Sequence, residues 1–165
     1  MRISNARAYE NQEYERVRAI PLTKIHGKPT QLARMEMHKE CEEINATADV
    51  SYNWEGDHGL LAEFIPPEQY LEDTELDYET PERPAWTHPK IDENTDEHDR
   101  RRLDADQEEE KINWHIRAGH LKAQAENIHN ALDKKYYEQL KKERIGYKGI
   151  HPEEYFKHLD KVWCE

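Results

Sequence analysis

Ten histidines and two cysteines are the residues of this sequence whose chemistry could build a metal site. His38 and Cys41 lie three residues apart, so a helix would place both side chains on one face as half of a zinc site. No second pair with ligand spacing follows, and His115 and His120 are five residues apart, which separates them on a helix. The sequence therefore predicts no metal and no other cofactor, and most histidines are interpreted as surface groups.

The sequence also gives little indication of nucleophilic or acid–base catalysis. Only two serines occur, Ser4 and Ser51, and neither a Gly-x-Ser-x-Gly motif nor a phosphate-binding glycine loop is present. His58, in the Gly-Asp-His-Gly run of residues 56–59, could act as a base on a loop, although local hydrogen bonding is the simpler interpretation. Residues 108–110 are consecutive glutamates, which are typical of a solvated helix face. We therefore predict a protein that is not an enzyme and has no small-molecule substrate.

Basic residues are concentrated in the last third of the chain, where tyrosines lie between them. Such a composition can stack on single-stranded RNA, although cations opposite an apolar stripe are also ordinary in helices. The residues that we predict to make a weak RNA contact are Lys134, Lys135, Lys141, Lys142 and Arg144.

The overall charge limits what these residues can do. The 165 residues include 36 acids and 24 bases, which gives a formal net charge of -12, and 17 of the acids fall within residues 68–110. A broadly basic nucleic-acid-binding domain is therefore excluded.

No segment approaches the roughly 18 apolar residues of a membrane span, so no membrane contact is predicted. Cys41 and Cys164 are too far apart in sequence to suggest a disulfide framework, and we expect a reducing, cytoplasmic setting.

The elements that must position these residues are predicted to be helices. The expected fold is all-α, with a long central helix, shorter helices packed around it and an extended, proline-spaced acidic connector. Four segments follow: a flexible N-terminal segment at 1–21, an N-terminal helical part at 22–71, the connector at 72–94 and a C-terminal helical part at 95–165. Trp86, in the connector, is expected to dock onto another element.

Capping and breaking residues set the expected helix boundaries. Helices are predicted over residues 10–18 and 30–45, the second with Leu32, Met35, Cys41 and Ile44 in its apolar stripe. A short helix follows Ile65, with Tyr70 and Leu71 facing inward.

The C-terminal part is expected to contain three helices. Asn94 is predicted to cap the long helix, with Glu97 completing a capping box, and Gly119 to mark a bend or a close contact in it. Asp133 is predicted to cap a short helix that ends near Arg144. Pro152 is predicted to begin the last helix.

Apolar residues on the last two thirds of the long helix suggest a surface for another chain. Leu121, Ala125, Ile128 and Leu132 are spaced four, three and four residues apart, as in the seam of a coiled coil. The final helix adds a wide apolar face. We therefore expect a homo-oligomer whose self-association residues are Trp114, Leu121, Ala125, Ile128, Leu132, Phe156, Leu159 and Trp163.

Short motifs in a fixed order connect these elements to a known family. They are Lys24-Ile25-x-Gly27-Lys28-Pro29-Thr30, His58-Gly59-Leu60, Pro84, His88-Pro89, Ala125-x-x-Ile128, Leu132-Asp133-x-x-Tyr136-Tyr137-x-x-Leu140, Tyr147-x-Gly149 and His158-Leu159. In this order and spacing the chain resembles the Gag-like, capsid-region proteins of copia-type LTR retrotransposons over roughly residues 22–164.

This resemblance implies a non-enzymatic helical capsid protein that self-associates into a particle and packages element RNA. The zinc knuckle Cys-x-x-Cys-x-x-x-x-His-x-x-x-x-Cys and the Asp-Ser/Thr-Gly protease motif of longer elements are missing from this sequence. We therefore expect a truncated Gag. The alternative is an intracellular helical adaptor that binds a protein partner through its acidic segment or through its apolar C-terminal helix.

Overall fold

The structure, a computed structural model, describes residues 5–50, 58–77 and 81–163. Its α-helices are α1 (Ala6–Arg18), α2 (Gln31–Asn45), α3 (Pro67–Thr74), α4 (Glu97–Ala131) and α5 (Pro152–His158). Shorter helical turns cover Leu61–Glu63, Lys134–Tyr136, Glu138–Leu140 and Leu159–Trp163. These described ranges contain no β-strand, and the predicted all-α fold is confirmed. Ser4, Ser51 and Cys164 lie outside the described residues.

The long helix α4 organises the molecule. Its 35 residues span about 52 Å. Asp96 begins it, because the Asp96 carboxylate accepts the backbone N–H of Asp99 at 2.8 Å. The prediction of Asn94 as the cap is wrong by two residues, since the chain makes a separate turn first, in which the Asn94 N–H donates to Asp92 Oδ1 at 2.8 Å.

Helix α1 packs along α4 at very short range. A Cβ atom at Gly119 would lie 2.2 Å from the backbone oxygen of Glu10, so only glycine allows the two backbones to approach this closely. The predicted close contact at Gly119 is confirmed. Val17 and Ala123 are fully buried in the interface. Much of the segment that was expected to be flexible therefore belongs to α1, which begins at Ala6 rather than near residue 10.

Helix α2 has the predicted boundaries, but only part of its predicted apolar stripe is buried. The Thr30 hydroxyl caps it by accepting the Ala33 N–H at 3.1 Å. Cys41 and Ile44 are buried, as predicted, together with Met37. The inward placement of Leu32 and Met35 is wrong. At about 100° per residue these two side chains lie roughly opposite the buried face.

The connector precedes α4 in the sequence and lies against the first half of that helix. The Lys111 ammonium donates to the Trp86 carbonyl at 2.6 Å and lies 4.5 Å from the centre of the indole ring, so Trp86 contacts α4 through Lys111. The expected docking goes no further than this contact, because Trp86 is 68% exposed. In α3, which precedes the connector, Tyr70 is fully buried, but the inward placement of Leu71 is wrong because this side chain is exposed.

The C-terminal part closes the core. Pro152 begins α5, as predicted, and Tyr155, Phe156 and Leu159 are buried against α2 and α4 residues of the same cluster. The helix predicted to run from Asp133 to residue 144 is wrong. Two 3₁₀ turns replace it because Leu132 is extended, and the Asp133 side chain makes no capping bond.

Candidate functional site

The predicted self-association residues are divided between the buried core and half-buried positions. Four of them belong to the hydrophobic core and are at most 5% exposed: Ile128, Leu132, Phe156 and Leu159. Their assignment to an association surface is therefore wrong, because they pack within one copy. Trp114, Leu121, Ala125 and Trp163 are half-buried. Arg117 covers the Trp114 ring at 5.3 Å, and Trp163 packs its ring against Tyr136 at 5.0 Å.

The true buried face of α4 contains polar residues, which explains this error. Its buried positions follow helical spacing, but three of them are His120, Gln124 and Asn127. A pattern of apolar residues alone therefore misplaces the first half of the seam. Leu121 and Ala125 are each one position from a buried polar residue and lie beside the interface, whereas Ile128 and Leu132 lie in the core.

His120 is the centre of a buried polar cluster between α1, α2 and α4. Its Nδ1 lies 2.8 Å from Glu13 Oε2, and its Nε2 lies 2.7 Å from Asn45 Oδ1. The same Asn45 oxygen accepts Gln124 Nε2 at 2.8 Å. His120, Asn45 and Gln124 have no exposed surface, so this cluster holds three helices together rather than meeting a ligand.

Neighbouring side chains stabilise the ionised form of Glu13. Burial raises the pKa of the Glu13 carboxyl, but hydrogen bonds from Arg16 and His120 outweigh that effect, so its pKa lies below the ordinary value of 4.5. The Arg16 guanidinium reaches both carboxylate oxygens, at 2.6 and 2.8 Å. Glu13 therefore stays ionised although it is only 7% exposed.

Two further histidines are fixed by carboxylates. His38 lies 2.9 Å from both Glu42 and Glu153, and it stacks on Phe64 with ring centres 5.4 Å apart. His151 lies 2.9 Å from Glu63 and accepts the Glu153 backbone N–H, which caps α5. Both rings therefore join helices.

Neither the possible half-site of His38 and Cys41 nor the possible loop base His58 has catalytic surroundings among the described residues. Cys41 is fully buried, and burial raises the pKa of its thiol well above the ordinary value. His58 packs its ring edge against Tyr70 at 6.3 Å. In the part of the chain that the structure describes, no group of three or more His, Cys, Asp or Glu side chains is arranged to hold a metal ion.

The five cations predicted to contact RNA are all exposed: Lys134, Lys135, Lys141, Lys142 and Arg144. None of them forms an ion pair with another described residue. The neighbouring tyrosines are used differently from the expectation. Tyr137 stacks on His129 with ring centres 4.3 Å apart, Tyr147 meets the same ring at 4.5 Å, and Tyr136 is buried. Tyr136 and Tyr137 are buried and offer no face to bases, so the exposed cations are suited to phosphates.

Sequence reasoning missed a second basic segment beside the first. The backbone N–H of Ile25 donates to the carbonyl of Ala131 at 2.8 Å, which brings residues 22–30 alongside the end of α4, just before Lys134. Lys24 and Lys28 are exposed in this loop, which contains no carboxylate. We call residues 22–30 and 134–148 together the basic end. No local sequence signal joins segments more than 100 residues apart.

An apolar surface was missed as well. Leu32 is 65% exposed and Met35 is 55% exposed on the outer side of α2, and Val162 is 47% exposed near the end of the described chain. Arg34 lies on the opposite side of α2 from Leu32 and faces inward, because its guanidinium lies 2.9 Å from Asp160 and 5.3 Å from the centre of the Phe156 ring. We call Leu32 and Met35 the apolar outer face.

Comparison with known proteins identifies no relative of this chain. No protein-family model, curated protein or solved structure matches the chain. Among the described helices, none is both long and apolar enough to cross a membrane.

Proposed function

We propose that this protein is a non-enzymatic structural protein, a Gag-like capsid module of the copia retrotransposon type that self-associates. The exposed apolar outer face is the observation that carries this proposal. Burying a Leu or Met side chain contributes about 1.5–3 kcal/mol, so Leu32 and Met35 are costly to leave in water and favourable to cover with a second copy. The all-α architecture fits the same role.

Substitution of the apolar outer face tests this proposal. We expect the double variant Leu32→Glu/Met35→Glu to fold normally, because both side chains are exposed, and to sediment as a smaller species than the wild-type chain. Leu71→Glu is the matched control, since Leu71 is an exposed leucine on a different helix. Equal sedimentation of the double variant and the wild-type chain at every concentration would refute the role of this face.

The basic end supports a weak RNA contact as part of the same function. Residues 22–30 and 134–148 carry eight Lys or Arg side chains and two carboxylates, although the whole chain has a net charge of -12. Exposed cations of this kind bind phosphates without sequence preference and release counterions when they do. Binding would be sensitive to salt.

A helical adaptor is the second candidate function. Acidic side chains on the first half of α4, among them Asp104 and Glu109, are exposed and make no ion pair with any described residue. They could bind a basic protein. Capture of a basic partner by a chain that remains monomeric would favour this candidate over a capsid module.

A further inference from the structure

A groove of about 820 Å³ lies between the start of α1, the connector and the first half of α4. Tyr9, Trp86, Ala105 and Ile112 give it apolar walls. Tyr9 is 40% exposed and Trp86 is 68% exposed, so two aromatic rings face solvent at one place. Aromatic side chains in such a position often anchor a partner segment.

The charge of this groove is negative in effect. Asp104 and Glu109 line it, and neither forms an ion pair within the described chain. Of its two cations, Arg101 pairs with Glu97 at 2.6 Å, whereas Lys111 donates to the neutral Trp86 carbonyl and keeps its charge. Asp104 and Glu109 outnumber Lys111, so an incoming cation would meet a net negative charge.

Gln107 holds the connector against α4 beside the groove. It is 3% exposed and uses its Nε2 to donate to the carbonyl of Ala85. The connector wall of the groove is therefore tied to α4 within one copy.

A segment with the complementary properties lies at the other end of this chain. Lys142 and Gly146 exchange two backbone hydrogen bonds of 2.9 Å and close a small loop, for which Gly146 adopts a φ of 62°. Arg144 is exposed in this loop, and Ile145 beside it is 54% exposed. The loop thus presents an apolar side chain that follows Arg144, and it carries three cations and one carboxylate, Glu143. We call residues 141–146 the basic loop.

One copy cannot fill its own groove with its own loop. Tyr147, which follows the loop, packs 4.5 Å from the ring of His129 near the end of α4. Ile112, at the end of the groove, is 17 residues earlier on the same helix, which is about 25 Å along the axis. A basic loop in this groove therefore has to come from another molecule.

We propose that the basic loop of one copy inserts into this groove of the next copy. Ile145 packs against Trp86 and Tyr9, while Arg144 and Lys142 pair with Asp104 and Glu109. This contact joins two different surfaces, so it adds copies head to tail, as an open chain or as a ring if the rotation between copies closes. The inference rests on the proposed self-association and names a contact for it.

Two variants, each disabling one half of the contact, test this arrangement. Arg144→Ala/Ile145→Ala removes the apolar side chain and the neighbouring cation of the loop, and Ala105→Arg fills the groove and adds a positive charge to it. Each variant alone is expected to associate about tenfold or more weakly than the wild-type chain. Lys157→Ala, at an exposed position on α5, is the control and should associate like the wild-type chain.

Mixing the two variants gives the decisive result. Leu32→Glu/Met35→Glu is added to both variants, so that the apolar outer face cannot extend the assembly. The first variant then retains an intact groove and the second an intact loop, so an equimolar mixture should form a 1:1 complex that grows no further. A mixture that stays monomeric, or either variant assembling like the wild-type chain, would overturn the head-to-tail contact. Association that depends on Leu32 and Met35 but not on Ala105 would overturn this contact alone. A wild-type chain that never associates would overturn the proposed function as well.

Discussion

The imidazole Nδ1 of His120 lies 2.8 Å from Oε2 of Glu13, across the interface between α4 and α1. His120 has no exposed surface and Glu13 has 7%, so water contributes little to the solvation of either group. Asn45 completes the contact from α2 by meeting the other ring nitrogen at 2.7 Å. This polar cluster therefore links the three longest helices, and each of its members depends on the others for a partner.

Removing the charge of Glu13 should destabilise the fold. We expect Glu13→Gln to lower the free energy of unfolding by about 1–3 kcal/mol, because His120 and Arg16 would lose a charged acceptor in a buried place. Urea unfolding followed by circular dichroism measures the change. Glu15→Gln, at an exposed position on the same helix, is the control and should leave the midpoint nearly unchanged. A Glu13→Gln midpoint equal to that of the control would contradict this account.

Acid should weaken the fold in two stages. Burial lowers the pKa of His129 below 6.5, so the unfolded chain binds more protons and the free energy of unfolding falls as the pH drops below that value. Glu13 adds a second loss below pH 4.5, as the pH approaches its lowered pKa. Unfolding free energies between pH 7.5 and 3 should show both stages.

Substitution of His129 isolates the first stage. We expect His129→Phe to retain the ring contacts with Tyr137 and Tyr147 and to lose less stability than the wild-type chain between pH 7.5 and 5.5. The His129→Phe variant should still lose some stability over this pH range, because burial also lowers the pKa of His158. His26→Phe, at an exposed histidine, should behave like the wild-type chain. Identical pH profiles for His129→Phe and the wild-type chain would count against this assignment.

Adding one methyl group at Gly119 should separate α1 from α4. Alanine is the better helix former by about 1 kcal/mol. Its Cβ would nevertheless lie 2.2 Å from the Glu10 carbonyl oxygen, and overpacking of this kind typically costs about 1–3 kcal/mol. We therefore expect Gly119→Ala to lower the thermal unfolding midpoint, whereas Glu110→Ala, at an exposed site of the same helix, should not. A raised midpoint for Gly119→Ala would show that α1 does not pack here.

The proposed RNA contact should depend on both segments of the basic end. We expect a labelled single-stranded RNA to bind the wild-type chain weakly, with affinity falling by a slope of about 0.7 per phosphate contacted on a plot of log affinity against log salt. Lys24→Glu/Lys134→Glu should weaken binding and reduce this slope. Lys90→Glu/Lys161→Glu carries the same charge change elsewhere and is the control. Fluorescence anisotropy that is equal for the two double variants would refute the contact.

Local signals in the sequence predicted local structure well. Thr30 and Pro152 mark helix starts through bonds and angles that involve only a few neighbouring residues, and both were placed correctly. Gly119 was recognised as a close contact because a glycine within a long helix is otherwise unfavourable. The helical class follows from the same local patterns.

Contacts between distant segments were not predictable in this way. Leu32 and Met35 resemble core residues in sequence, and only the packing of α2 leaves them exposed. The seam on α4 was misplaced because His120 and Gln124 are buried through hydrogen bonds with α1 and α2, which a pattern of apolar residues cannot reveal. The basic end and the groove depend likewise on which segments the fold brings together.

The molar mass of the wild-type chain as a function of concentration tests the central claim of self-association most directly. A single chain has a mass of 19.8 kDa. Static light scattering should give a weight-average mass that rises above this value as the concentration increases, and Leu32→Glu/Met35→Glu should shift the rise to higher concentration. A mass of 19.8 kDa at every concentration would contradict the proposal that this protein is an assembling structural module.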